Sequence, residues 1–457
     1  MKRPAEQTEA CRPLSPLERW YWVCDQISPL NVIAHVRVYG PLPEELLAQA
    51  LDALQRRHPM LRTAIRADAA GRNPRFVPVS GNPIPLHVVA VKDAEDRWEQ
   101  AVDDHELVTS VDWRKGPLAR AVALTVSGAE PAAQDVHDLV LTLPHCIADG
   151  TTVLTLLRQW IELAAEIKAG DLDPDGPVVR PERALPAPES LLPAEHRGLS
   201  GARRIVAQQL ADQGAARRLK PRRLEPTRRV PFKDRTTRLL HRSLSAEQLA
   251  DLVAACRREQ TTVHGALAAA MVSAAAEDAG GVAGSMMIGS PINFRDDLVP
   301  RVTDREIGTY VATVPTVVDY RPGASLWPMA RAISRDLVRR RQRGEQLTAI
   351  ATMGFVAPKS VAKSGRLLRF MEEKGPLTLC LSNIGRYDFP RAIGPWQVSS
   401  AEFIAGLSVN ALYCATVNTS HGRMAWNFTH VEGAVPADRA ERMAAGSLDA
   451  VLSASKS

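Results

Sequence analysis

The chain has 457 residues, of which 45 % are apolar and 24 % charged, and carries a net charge of +6. Such a length exceeds one ordinary core and points to two domains of about 200 residues each, in a chain whose composition is that of a globular protein. Three classes are excluded: no apolar run reaches the ~18 residues of a membrane span, the six cysteines at 11, 24, 146, 256, 380 and 414 show no Cys-x-x-Cys pair for a disulfide or metal framework, and no nucleic-acid-reading motif accompanies the basic excess. That excess belongs to one segment, residues 203–242, with 13 Lys/Arg against 3 Asp/Glu. No charged–apolar–small leader opens the chain, so a cytoplasmic protein, and a monomer, is expected.

In chain order, Leu14-Ser15-Pro16 starts a helix, with Ser15 as cap and Pro16 at the first helical position. Val32 to Tyr39 alternates as a strand. Pro43 opens a helix whose Leu46, Leu47, Ala50, Leu51 and Leu54 form one stripe, and Pro59 stops it. Strands follow at Leu86–Val91, Leu118–Val126 and His137–Leu143. Then comes Pro144-His145-Cys146-Ile147-Ala148-Asp149-Gly150, and a helical pattern through Val153, Leu156, Leu157, Trp160, Ile161 and Leu163 that fades at Gly170. His145 therefore stands where a strand ends and a helix begins, held by rigid elements and able to face a cleft.

Residues 171–193 are rich in Pro and Asp and read as a linker. The basic segment follows, with a helix at Ile205–Leu219. Thr237–Leu244 is a strand that opens the second half. Ser245 and Gln248 make a capping box for the next helix, and His264–Ala276 is an Ala-rich buried one. Met286–Pro291 is a strand and Leu326–Arg343 a basic helix. Leu377–Arg386 is a strand running into a turn at Ser382-Asn383-Ile384-Gly385-Arg386. Strands at Leu407–Val417 and Arg423–His430 precede a final helix from Pro436. The chain thus reads as α/β, divided into residues 1–170, a linker at 171–236, and residues 237–457.

Four stretches carry a family resemblance. His145-x-x-x-Asp149-Gly150 is similar to the active-site motif of acyltransferases related to chloramphenicol acetyltransferase, which include peptide condensation domains and polyketide-associated acyltransferases. Arg57-His58-Pro59-Met60-Leu61-Arg62-Thr63 and Ile307-Gly308-Thr309-Tyr310-Val311 resemble elements of condensation domains. Ser382-Asn383-Ile384-Gly385-Arg386 resembles the polyketide-associated branch. The opening Ser15 to Trp20 is more loosely similar. The resemblance implies two chloramphenicol acetyltransferase-like domains, mixed sheets flanked by helices, a pseudo-dimer with the active site in the interdomain cleft. Pro144 stands where peptide condensation domains usually carry a first histidine, and the plant motif Asp-Phe-Gly-Trp-Gly is absent. The favoured expectation is therefore a stand-alone O-acyltransferase. Alternatives are an amide-forming condensation enzyme and a non-catalytic, carrier-binding module.

In that chemistry His145 is the base that takes a hydroxyl proton as the oxygen attacks a thioester. The co-substrate is an acyl thioester of CoA or of acyl carrier protein phosphopantetheine; the acceptor is an alcohol; no bound cofactor or metal is expected. Cys146 is adjacent, but on a strand it points away from His145 and reads as a structural thiol rather than a nucleophile. Ser382 and Asn383 are oxyanion candidates, against the reading that they only turn the chain. Gly150 lets backbone and substrate approach closely. Asp149 is expected to pair with Arg62, with Arg295 in reserve, since a buried carboxylate must be paired. Arg217, Arg218, Arg222, Arg223, Arg339, Arg340 and Arg341 are docking candidates for an acidic carrier, against a solvated face.

Overall fold

A computed structural model describes residues 11–92, 97–126, 135–174, 176, 182, 185–375 and 377–456. The Pro-rich stretch expected as a linker lies partly outside these residues. The first half contains α1 (Pro16–Asp25), β1 (Asn31–Tyr39), α2 (Glu44–Arg57), β2 (Thr63–Arg66), β3 (Arg75–Pro78), β4 (Leu86–Ala90), α3 (Arg97–Ala101), β5 (Arg120–Val126), β6 (Val136–Pro144) and α4 (Gly150–Ala169). The helix expected in the basic segment is α5 (Gly198–Leu219), seven residues longer than expected.

The second half begins with β7 (Thr237–Leu240), β8 (Ser243–Leu244), α6 (Ala246–Arg258), α7 (Val263–Asp278), β9 (Gly284–Asn293) and β10 (Val311–Tyr320). It continues with α8 (Leu326–Gln342), α9 (Glu345–Val356), α10 (Gly365–Lys374), β11 (Leu379–Arg386), β12 (Ala392–Ile393), β13 (Trp396–Val398) and β14 (Glu402–Ala405). β15 (Tyr413–Ser420), β16 (Arg423–Val431) and α11 (Ala437–Ser455) close it.

Local chemistry explains the helix ends. Ser15 and Glu18 form a reciprocal capping box on α1, as Ser245 and Gln248 do on α6, which satisfies two otherwise unpaired N–H groups each time. Asp149 caps α4 through the Thr152 N–H, and Gly170 ends it in the left-handed region at φ 78°, a conformation without steric cost only for glycine.

Two mixed sheets carry the fold. The first runs β12-β13-β1-β6-β5-β4, and the second β10-β9-β11-β15-β16-β7. The first sheet's central strands β1 and β6 are buried almost throughout, as expected where both faces are covered. Two large apolar cores form, one around β1, β6, α2 and α4 that also takes in second-half residues such as Tyr310, Trp396 and Phe403, the other around α7, α11 and β15–β16.

The chain does not stay with the sheet on which the second half begins. After β11 it crosses over, lays β13 and β14 along one edge of β1 (Val38 opposite Val398, Val32 opposite Ala405), and returns to β15. The strand expected at Leu407–Val417 therefore starts only at Tyr413, because residues 406–412 are the return crossing, with Ser408 at φ 44°. β14 is held to the first sheet by its backbone ladder and to the second by side chains. Thr416 Oγ1 donates to the Phe403 carbonyl at 2.8 Å, and Asn418 Nδ2 to the Ala401 carbonyl at 2.8 Å.

Candidate active site

His145 follows β6 directly, in the turn before α4, and is half-buried. Its backbone N–H donates to the Leu30 carbonyl at 2.9 Å, which ties the turn to the start of β1. Its ring is sandwiched by choice of neighbours. Nδ1 lies 2.8 Å from the Ala148 carbonyl, and Tyr21 of α1 stacks on it with ring centroids 4.2 Å apart and 13° between planes. A carbonyl only accepts, so Nδ1 carries the proton and Nε2 presents a lone pair. Burial lowers the imidazole pKa, and this outweighs the nearby Asp149 and the carbonyl hydrogen bonds, which raise it. The ring is thus a neutral base near neutral pH. Tyr21 explains the opening motif: its helix start places an aromatic face over the histidine.

Asp149 turns away from that ring. Arg295 donates to both carboxylate oxygens, at 2.8 and 3.0 Å, and both side chains are about 2 % exposed. The Thr152 and Tyr310 N–H groups add two more hydrogen bonds at 2.9 Å each. Burial alone would raise the carboxyl pKa; Arg295 and these donors reverse that and hold it below the usual range. The expected partner, Arg62, is replaced by the reserve candidate. Arg62 ends the helical turn Pro59–Arg62 and lines a separate cavity of about 610 Å³ with Asp52, Gln55 and Arg56, whose lining does not include His145. Arg295, just after β9, comes from the second half, so the aspartate joins two halves rather than two neighbouring elements.

The Ile307–Val311 stretch completes the clamp. The Thr309 hydroxyl donates to the carbonyls of His145 and Ala148, so it straps the turn that carries the histidine. Thr152 Oγ1 accepts from Arg295 at 2.7 Å and donates to the Gly308 carbonyl at 2.8 Å. Tyr310 lies under the guanidinium, 4.6 Å from its centre. The Arg57–Thr63 stretch acts at a distance instead: His58 Nε2 meets Gln159 Oε1 at 2.6 Å, joining α2 to α4. Sequence reasoning missed the roles of Tyr21 and Thr309, since neither residue type announces a contact made across the fold.

Gly150 meets protein rather than substrate. A Cβ there would lie 2.6 Å from the ring of Phe403 on the crossing strand β14. Cys146 is buried, with its thiol pKa pushed well up by burial, the character of an inert structural cysteine. On β11, Ser382 is opposite Thr416, whose side chain reaches toward β14. Alternation therefore puts Ser382 on the sheet face that meets the first half and Asn383 on the other. Asn383 Oδ1 accepts the Gly385 N–H at 2.8 Å, which is the turn role.

The arginines divide. Arg223 is paired with Glu225 at 3.0 Å and donates to the Glu373 carbonyl. Arg339 is paired with Asp336 one turn back, and Arg340 lies among Asp336, Glu345 and Asp212 at 2.9, 2.6 and 3.2 Å. These three charges are answered inside the molecule, which argues against them as a dock. Arg217, Arg218, Arg222 and Arg341 are exposed.

This two-sheet architecture with a histidine at the junction is the chloramphenicol acetyltransferase-like fold. Trichothecene 15-O-acetyltransferase of Fusarium sporotrichioides superposes with a TM-score of 0.75 at 11 % identity, covering 99 % of this chain and 100 % of that one. Polyketide synthase associated protein 5 of Mycobacterium tuberculosis gives 0.63 at 17 %, covering 98 % and 99 %. Residues 9–180 match the condensation-domain family, and residues 234–411 match the phthiocerol/phthiodiolone dimycocerosyl transferase C-terminus family. The chain belongs to the superfamily of condensation domains and polyketide-associated acyltransferases. Among curated relatives, chondramide synthase of Chondromyces crocatus is 29 % identical over 168 residues, 35 % of this chain and 4 % of that protein. Phosphinothricin tripeptide synthetase of Streptomyces viridochromogenes is 30 % identical over 168 residues, 35 % of this chain and 14 % of that protein. The matched stretch thus spans a small part of the length of these relatives.

Proposed function

We propose that the protein transfers an acyl group from a CoA or carrier-protein thioester to the hydroxyl of a polyketide, lipid or similar metabolite. The observation that carries this reading is the fixed tautomer of His145, whose Nδ1 is committed to the Ala148 carbonyl at 2.8 Å and whose Nε2 is left as the base. Nε2 takes the hydroxyl proton as the oxygen adds to the thioester carbonyl. The resulting oxyanion needs a donor, and the Ser382 hydroxyl, on the face toward the first half, is the better placed of the two candidates. Collapse breaks the C–S bond, and the imidazolium returns its proton to the thiolate. No covalent acyl-enzyme forms.

The test is incubation of the purified protein with acyl-CoAs and acyl-carrier proteins against a panel of alcohols and amines, read by mass spectrometry. An ester plus free thiol, lost in His145→Ala, is the expected result. Amide products instead would make it a condensation enzyme. No turnover with any pair, together with carrier binding, would make it a non-catalytic module. An acyl group trapped on Cys146 or His145 would refute direct attack.

A further inference from the structure

Two cysteines outside the machinery described above face each other across the second sheet. Cys380 on β11 is in register with Cys414 on the parallel neighbour β15. Directly opposed residues of adjacent strands share a face. That face is the one carrying Thr416 and Asn418, whose side chains bond β14. It therefore looks toward the first half, and Ser382 lies on it two residues along. Cys414 is buried, whereas Cys380 is partly exposed. Leu379 and Leu381, on the opposite face, are fully buried in the second core; Cys414 belongs to the same core and Cys380 packs against its edge.

We propose that Cys380 and Cys414 form a redox-active dithiol on the active-site wall of the second sheet, and that closing it to a disulfide lowers turnover at His145. Geometry permits the bond. Neighbouring strands lie about 4.8 Å apart, inside the roughly 4.4–6.8 Å Cα range of disulfides, while the Cβ atoms must close to about 3.5–4.5 Å. A bond that draws two parallel strands together is strained, and strained disulfides are the easily reduced, reversible ones. Strand register links the pair to the site: Ser382, the oxyanion candidate, lies two residues along β11 from Cys380 and on the same face. The nearby Cys380 also helps to raise the pKa of Tyr21, the residue stacked on His145, after burial, which is the main cause.

The chemistry balances with a peroxide or a disulfide as oxidant. With hydrogen peroxide, the thiolate of the accessible Cys380 attacks one oxygen, breaking the O–O bond and releasing water. The Cys414 sulfur then displaces the second oxygen from the sulfenic acid as a second water. With glutathione disulfide, two glutathione thiols leave instead. In both cases the two cysteines lose two electrons and two protons.

The link to turnover rests on the acyltransferase reading; the dithiol itself does not, so the two are read separately. The full-length protein carrying Cys11→Ser, which removes the exposed thiol, is treated with glutathione disulfide or hydrogen peroxide. Intact mass is expected to fall by two hydrogens, with a 380–414 cross-linked peptide on digestion and full reversal by dithiothreitol. Cys380→Ser and Cys414→Ser each abolish the shift. Phenylarsine oxide, which bridges paired thiols, should bind one to one and fail on Cys380→Ser. Both cysteines remaining alkylatable after oxidation would overturn the site, even if no acyl transfer is ever detected. A complete disulfide with unchanged turnover would overturn the control. The expected fall is about 10- to 100-fold, the scale of a displacement of about 1 Å near the reacting groups.

Discussion

Two contacts share the His145 ring, the Ala148 carbonyl on Nδ1 and Tyr21 on its face, while Asp149 is bound by Arg295 instead. Replacing His145 with Ala should cut turnover by about 10²–10⁴-fold, with the melting temperature close to wild type, because the turn is held through its own backbone, by the Leu30 carbonyl and the Thr309 hydroxyl. A burial-lowered pKa means that the base form persists to lower pH. The acid limb of kcat/KM should therefore have its midpoint below the ordinary histidine value of about 6.5, with a plateau above it. A midpoint above that value, measured with a substrate that does not itself titrate, would contradict the burial argument. Tyr21→Leu keeps bulk and loses the stacked face; it is the control for whether the aromatic ring holds the imidazole.

At the scale of elements, the junction is a clamp between the turn after β6 and two segments of the second half. Removing one partner of a buried ion pair typically costs about 3–5 kcal/mol. Asp149→Ala and Arg295→Ala should each lose that much in denaturant unfolding, and the double mutant should lose far less than their sum. Arg62→Ala should show no such coupling to Asp149. Coupling to Arg62 as strong as to Arg295 would reverse the assignment. Gly150→Ala pushes a methyl into the Phe403 ring, 2.6 Å away. Overpacking of this kind costs about 1–3 kcal/mol, and Phe403→Leu should recover part of the loss. If Gly150→Ala is neutral in stability yet loses activity, the glycine serves substrate after all.

Across the whole molecule, the two sheets are sutured by charge as well as by β14. His35 of β1 bridges Asp138 of β6 at 2.9 Å and Glu402 of β14 at 3.2 Å. His241, between β7 and β8, reaches the other oxygen of Glu402 at 3.1 Å, and Asn427 of β16 donates to it at 2.9 Å. Arg37 also meets Asp138, and Trp98 stacks on His35. Burial pushes both histidines down, but the carboxylates win: His35 is raised, and His241 is raised to about 9. A raised folded-state value contributes stability that is fully present below the unfolded value of about 6.5 and fades as pH rises through the folded one. The melting temperature should therefore decline from pH 6.5 toward pH 9. Glu402→Gln should lower it at pH 6.5 and flatten that decline; an equally steep decline in the variant would place its origin elsewhere.

The remaining surface arginines bear on partners at the same scale. Reversing Arg217 and Arg218 to Glu, at the exposed end of α5, should lower kcat/KM for a carrier-bound donor and weaken its salt dependence, while leaving a CoA donor unaffected. Equal effects on both donors, or none, would remove α5 as a dock.

Residue patterns alone determined most elements and the position of the histidine. Alternation, caps and prolines are local signals, and so Ser15, Ser245 and the β6–α4 junction were legible without a structure. The motifs marked which turns matter, and the need of a buried carboxylate for a cation was legible as well. Which cation was a tertiary question. Arg62 is 87 positions before Asp149 and Arg295 is 146 after it, and nothing local distinguishes two arginines that are both near motifs. The crossing strands were hidden for the same reason. β12 to β14 are two to four residues long, too short for a periodicity; β13 and β14 are strands because β1 offers an unpaired edge to bond, and β12 because it pairs with β13. The stacking of Tyr21, the ring that excludes a side chain at Gly150 and the pairing of Cys380 with Cys414 are likewise contacts between distant segments. They exist only once backbone hydrogen bonding and burial have brought the two halves together.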